Sequence, residues 1–182
     1  MKAETLDVRS PLVVDTHELR RTAGAMKQIS RIVEAPAHLR IELIGVPEGS
    51  PIRLEAQLES VVEGILVTLD ASAALTGNCS RCLTELHREI DVHNTELYYY
   101  PEREAEEEAY RVEAGLLDLE PTLRDAIVLD LPFAPLCRED CKGLCPVCGE
   151  DLNNVSSHSH DEPIDPRWEK LTGLVIDDEV KE

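Results

Sequence analysis

The chain is 182 residues long and strongly acidic, with 37 Asp and Glu against 18 Lys and Arg and a formal net charge of −19. That length suits one domain, or one domain with a smaller appendage. The charge repels nucleic-acid phosphates, whose non-specific binding needs Lys and Arg to displace counterions, and aromatics at 3% leave few base-stacking platforms. Basic partners are attracted instead, although the same charge also serves plain solubility. No apolar run approaches the roughly 20 residues of a membrane helix. Met1-Lys2-Ala3-Glu4 lacks the apolar segment of a secretory signal, so the expected location is the cytoplasm.

From Leu6 to Tyr100 the apolar pattern is strand-like. Leu12–Val14 and Ile29–Val33 are short extended segments, and Asp15–Met26 between them is read as a short helix despite Gly24. Leu39–Ile44 alternates with period two and stops at Gly45-Val-Pro-Glu-Gly49. Ile52–Glu59 alternates again, Val61–Leu69 gives another strand, and Ala71–Leu75 runs toward the first cysteine pair. Leu86–Tyr100 is the return strand. Antiparallel strands at this spacing predict an α+β fold: a β-sheet or partly open barrel with a few short helices and a C-terminal zinc-knuckle region. Residues 1–130 form the β-rich domain, with an acidic solvated loop near 101–109. Tyr110–Val112 and Leu116–Leu119 flank Glu113-Ala-Gly115 as a hairpin. Pro121 then opens a helix whose Leu123, Ile127 and Leu131 share a face. Residues 131–182 carry the knuckles and a last helix from Asp165-Pro166, with Trp168, Leu171, Leu174 and Val175 as its apolar stripe.

Six cysteines stand in three pairs: Cys79 with Cys82, Cys137 with Cys141, and Cys145 with Cys148. His158-Ser-His160 follows. Thiolates two or three residues apart on a tight turn occupy two corners of a zinc tetrahedron, and another pair closes it. In a reducing compartment such pairs favour metal over disulfide. Eight donors suffice for two zinc ions. Sequence order assigns Cys79, Cys82, Cys137 and Cys141 to one and Cys145, Cys148, His158 and His160 to the other. The first would clip the β-rich domain to the knuckle region through Cys79 and Cys82. Two other groupings stay open: the four cysteines from 137 to 148 sharing one zinc, or Cys137 and Cys141 paired with the histidines. The bland alternative for His158 and His160 is a metal-free surface loop. Gly149, just past a knuckle, suits a left-handed turn. His17, His38, His87 and His93 stand alone and read as surface or strand residues.

On these residues the chain resembles the YceD family of large ribosomal RNA subunit accumulation proteins. The resemblance rests on Cys79-Ser-Arg-Cys82-Leu83, on Leu131-Pro-Phe-Ala-Pro-Leu-Cys137, on Cys141-Lys-Gly-Leu-Cys-Pro-Val-Cys-Gly149 through Asn153, and on Ile164-Asp-Pro-Arg-Trp-Glu-Lys-Leu171. It spans roughly residues 75 to 175. Many members carry Cys-x-Cys where this chain has His158-Ser-His160, a swap zinc tolerates. The resemblance implies a cytoplasmic, non-enzymatic role in accumulation, processing or assembly of large-subunit ribosomal RNA. The implied partner is a basic ribosomal protein or an rRNA-processing factor. If RNA is touched directly, Arg20, Arg21, Lys27, Arg31 and Arg40 form the one basic-leaning stretch, against the alternative of charges scattered over separate faces.

Three rival functions use the same residues. A metal-dependent nuclease needs a zinc position open to water, and every cysteine pair here has a closing partner. A thiol redox protein places its Cys-x-x-Cys at a helix N-terminus, whereas Cys79 follows a strand. A zinc-ribbon adaptor in a transcription or other complex shares the metal chemistry, and only the family resemblance separates it from a ribosomal role.

Overall fold

The computed structural model describes residues 6–19, 22 and 24–160. The chain divides after Cys141 into two compact units. In the first, nine-residue to fifteen-residue strands arise where apolar residues alternate with polar ones. These are β2 (Met26–Glu34), β4 (Pro51–Ser60), β5 (Gly64–Asn78) and β6 (Glu85–Tyr99). They pair antiparallel in the order β2-β4-β5-β6, and the two-residue β3 (Ile44–Gly45) extends the β4 edge of β5. A separate antiparallel pair joins β1 (Val13–Asp15) to β7 (Leu116–Asp118), and α1 spans Glu120–Asp130. The sheet is open, not a closed barrel. Among the described residues α1 is the one α-helix of the few short helices expected; the expected helix from Asp165 lies outside them.

Register and alternation together give the sheet two different faces. Inward, Ile52, Leu54, Leu58, Ile65, Val67 and Leu69 are buried in one core with Val14, Leu117, Leu119, Leu123 and Ile127. Each such side chain contributes roughly 1.5–3 kcal/mol on leaving water. Outward, the strands align mostly polar residues in rows: Gln28, Gln57, Thr68, Thr95; then Ser30, Glu55, Asp70, His93; then the apolar Ile32 with Arg53, Ser72, Asp91. The helix begins with Pro121 in its first turn and buries Leu123 and Ile127, as its 3.6-residue spacing predicts. Tyr98 crosses beneath it, stacked on Tyr110 at 5.1 Å, with its hydroxyl donating to Asp118 O at 2.8 Å and contacting Thr122. Burial holds its phenol well above the usual range.

Three expectations are corrected. Leu39–Ile44 is not a strand, because the chain doubles back on itself. Val46 N donates to Leu39 O at 2.9 Å and Ile41 N to Ile44 O at 3.0 Å, burying Leu39 and Ile44 from the two arms of one turn. Gly45 is required there, since a Cβ would lie 2.1 Å from the Cβ of Arg40. The described residues of Asp15–Met26 hold no α-helix: His17, Glu18 and Gly24 lie in turns and Leu19 in a 3-10 turn. Asp15 already belongs to β1, Thr16 N and Oγ1 both donate to Gly115 O, and Met26 opens β2. Val61–Leu69 and Ala71–Leu75 are not two strands but parts of β5, which starts at Gly64 after a reversal closed by Val61 N to Gly64 O at 3.0 Å. The hairpin around Glu113-Ala-Gly115 forms as expected, bridged Glu113 to Leu116. Residues 101–104 and 106–108 are exposed. The segment with Trp168, Leu171, Leu174 and Val175 lies outside the described residues. No helix among them is long and apolar enough to cross a membrane.

Candidate metal centres

Two groups of four donors converge, and they follow sequence order. Cys79, Cys82, Cys137 and Cys141 have their sulfurs within 4.8 Å of one another in the first unit. The donor atoms of Cys145, Cys148, His158 and His160 do the same in the second.

The first quartet is built by three chain segments. β5 delivers Cys79 directly after Asn78. The turn that follows is closed by Leu83 N donating to Cys79 O at 2.9 Å and Cys79 N to Thr84 O at 2.8 Å. Past α1, residues 131–141 bring Cys137 and Cys141 back to that turn. Ser80 N donates to Pro135 O at 2.7 Å, Arg88 to Leu136 O, and Arg81 Nη1 to Cys141 O at 2.8 Å. Cys79, Cys82 and Cys141 are buried, and Cys137 is half-buried.

The second quartet is local. Gly149 N donates to Cys145 O at 2.8 Å, and Cys145 N to Glu150 O at 2.8 Å. Asn153 Oδ1 accepts from Lys142 N at 2.9 Å, and Leu152 N donates to Gly143 O at 2.9 Å, so the arm leading to the histidines starts from a fixed base. Cys145 is buried, but Cys148, His158 and His160 are exposed.

The two turns are thus the same device. In each, the amide four residues past the first cysteine returns to its carbonyl, and that fourth residue has a left-handed backbone: φ 61° at Leu83 and 77° at Gly149. Glycine adopts this freely, whereas an L-residue with a side chain does so at a cost of roughly 1–2 kcal/mol. Gly149 signals the second turn in the sequence itself. The matching role of Leu83 carries a weaker signal, visible only when the two Cys-x-x-Cys motifs are aligned, and Arg81 and Arg88 carry none.

The donor sets fit zinc. A tetrahedron of bonds about 2.3 Å long has sulfur–sulfur edges of about 3.8 Å. Cys82–Cys137 is 3.5 Å and Cys79–Cys141 is 3.9 Å, far from the roughly 2.05 Å of a disulfide. In the second quartet Cys148 Sγ lies 3.4 Å from His158 Nε2, near the expected mixed edge, and His158 Nε2 lies 2.8 Å from His160 Nε2, somewhat shorter. Electrostatics point the same way. Burial pushes the Cys79 thiol up, but the amides of Cys82, Arg81 and Cys137 outweigh it and hold it down to about 6. The amide of Cys148, against burial and with help from the Val147 amide and His158, brings Cys145 to about 6. The Cys82 thiol, burial and the other two thiols push Cys137 up to about 12. Four sulfurs so close cannot all ionise without a cation among them.

The remaining candidates sit apart. His17 and His93 lie beside Asp15 (2.8 Å) and Asp70 (2.7 Å), and His87 lies 3.4 Å from Glu85, all on exposed surface. Lys27 Nζ and Arg31 Nη1 donate to the backbone carbonyls of Asp15 and Pro11. Arg40 lies in the turn at β3, and Arg20 and Arg21 fall outside the described residues.

Residues 67–175 match the family described as "Large ribosomal RNA subunit accumulation protein YceD". An uncharacterized protein of Mycobacterium tuberculosis is 43% identical over 173 residues, covering 92% of this chain and 83% of that protein. The uncharacterized protein YlbN of Bacillus subtilis is 23% identical over 133 residues, 71% of this chain and 77% of its own length. A chloroplastic large ribosomal RNA subunit accumulation protein YCED homolog 1 of Zea mays is 42% identical over 41 residues, 22% of this chain and 14% of that one. No solved structure matches.

Proposed function

The chain belongs to the YceD family of large ribosomal RNA subunit accumulation proteins, and from that membership we propose a non-enzymatic, zinc-stabilised factor. It supports accumulation, processing or assembly of large-subunit ribosomal RNA in the cytoplasm, through protein–protein contacts. The observation that carries the non-enzymatic reading is the closure of both donor sets. Each offers four protein ligands, which leaves no position for a substrate or an activated water. Cys79, Cys82, Cys137 and Cys141 would hold one zinc, and Cys145, Cys148, His158 and His160 the other. Zinc bound in this way supplies cross-links that stabilise the fold.

The residues around those donors then act as a scaffold. Arg81 and Arg88 tie residues 136–141 to the end of the sheet, so the surface of the first unit is presented on a rigid frame. The chain's net charge of −19 favours a basic ribosomal protein or processing factor over RNA itself. The test is depletion of the protein, followed by the ratio of mature large-subunit to small-subunit ribosomal RNA and co-sedimentation of the protein with large-subunit precursors. A selective fall in large-subunit RNA with co-sedimentation is expected. An unchanged ratio with the protein confined to the top of the gradient overturns the reading in favour of a zinc adaptor elsewhere.

A further inference from the structure

We propose that the outward face of the sheet in the first unit is a docking surface for an extended, arginine- or lysine-rich segment of a partner protein; this rests on the reading of a protein-binding factor given above. Two clefts open on this face. One, of about 400 Å³, is lined by Glu55 and Asp70 with the amides of Gln28 and Gln57 and the hydroxyls of Ser30 and Thr68. The other, of about 360 Å³, is lined by Glu89 and Asp91 around Arg53, with Ile32 at its β2 side. The first holds two carboxylates and no cation, and the second two carboxylates and one cation.

This arrangement costs the fold something. Glu55 and Asp70 stand directly opposite each other in register on the same face, a like-charge cross-strand pair that destabilises a sheet. His93, 2.7 Å from Asp70, offsets part of that, and on the next row Ser72 donates to Asp91 at 2.6 Å. Glu55 faces open solvent across the cleft. A guanidinium or ammonium from outside would relieve the repulsion, and the surrounding amides and hydroxyls would accept its remaining protons. Alternate residues of an extended chain lie about 7 Å apart, which is also the spacing of successive rows on this face, so cations at every second position reach successive rows. Ile32, 74% exposed at the rim, offers an apolar contact beside the second cleft. Nucleic acid does not suit the face: it has no Phe, Tyr or Trp among its rows and its carboxylates repel phosphate.

The experiment is fluorescence anisotropy of a labelled peptide of repeated Arg-Ser, titrated with wild-type protein, with E55Q/D70N/D91N, and with E104Q/E106Q/E107Q as an equal charge change in the acidic loop. Circular dichroism melts verify folding, and amide NMR shifts of wild-type protein on peptide addition give a readout that needs no variant. Binding about tenfold weaker in the face variant, with less than about threefold loss in the loop variant and shifts along β4 and β5, is the expected result. No peptide binding, equal loss in both variants, shifts confined to residues 101–109, or tighter binding of a labelled single-stranded RNA overturns the proposal. Co-sedimentation of the face variant with large-subunit precursors at wild-type level would sink this surface while leaving the ribosomal role intact. Failure of wild-type protein to co-sediment would count against the role itself.

Discussion

The two cysteine-containing quartets share a turn geometry and differ in nearly everything around it. The first draws its ligands from a strand end and from a segment past the helix, more than fifty residues on, and buries three of its four sulfurs. The second is contained within residues 145–160 and leaves three of its four donors in water. The difference teaches how one metal-binding element can do two jobs. Closing a long loop converts binding energy into stability of the whole unit, whereas closing a short one orders only a local arm. It also sets access, because a chelator or competing metal reaches exposed donors far more readily than buried ones.

The largest effect that follows is on stability. C141S or C79S removes a buried ligand of the long-range clip and should abolish cooperative unfolding of the first unit, or lower its stability by several kcal/mol, in a denaturant titration followed by circular dichroism. H160A should leave that transition within about 0.5 kcal/mol of wild type. Equal, small effects from both would erase the distinction. Next in size is metal release. Under a chromogenic chelator the protein should lose one zinc quickly and the second slower by at least about tenfold, with H158A/H160A lacking the fast phase. A single phase of two zincs would mean that burial does not govern access. The smallest effect tests the shared turn. G149A should weaken zinc retention by the second quartet by about 1 kcal/mol, because alanine must adopt a positive φ. L83G relieves the equivalent strain in the first and should be neutral to stabilising by a comparable amount. Both are read from competition with a zinc indicator, and two losses of the same sign would refute the common geometry.

Much of the fold and of both donor sets is legible in the amino-acid sequence. Period-two alternation locates β4, the return after the first cysteine pair locates β6, and Pro121 and the Leu123/Ile127 spacing locate α1. Pair spacing marks all eight donors, with sequence order giving one of three groupings left open. The departures have a common physical source. Leu39–Ile44 alternates as a strand does, yet its apolar residues are buried from two arms of one turn, and local pattern carries no record of chain reversal. Asp15–Met26 has helical composition but is anchored at both ends by strands whose partners lie 33 to 101 residues away, Met26 with Glu59 and Asp15 with Leu116. The support given to the first centre by Arg81 and Arg88 is invisible locally for the same reason, since both donate to carbonyls 48 to 60 residues distant. Leu83 is different: the repeat of Cys-x-x-Cys followed by a left-handed residue is present in the sequence, masked because a leucine stands where glycine would be expected.

The proposal at the core of this picture is that the two donor quartets each hold one zinc. It is tested most directly by zinc per chain, from elemental analysis or native mass spectrometry of protein purified under reducing conditions, alongside H158A/H160A. The expected result is two zincs falling to one in the variant, with the first unit still folded. One zinc in both proteins would contradict it, reducing the histidine arm to a surface loop.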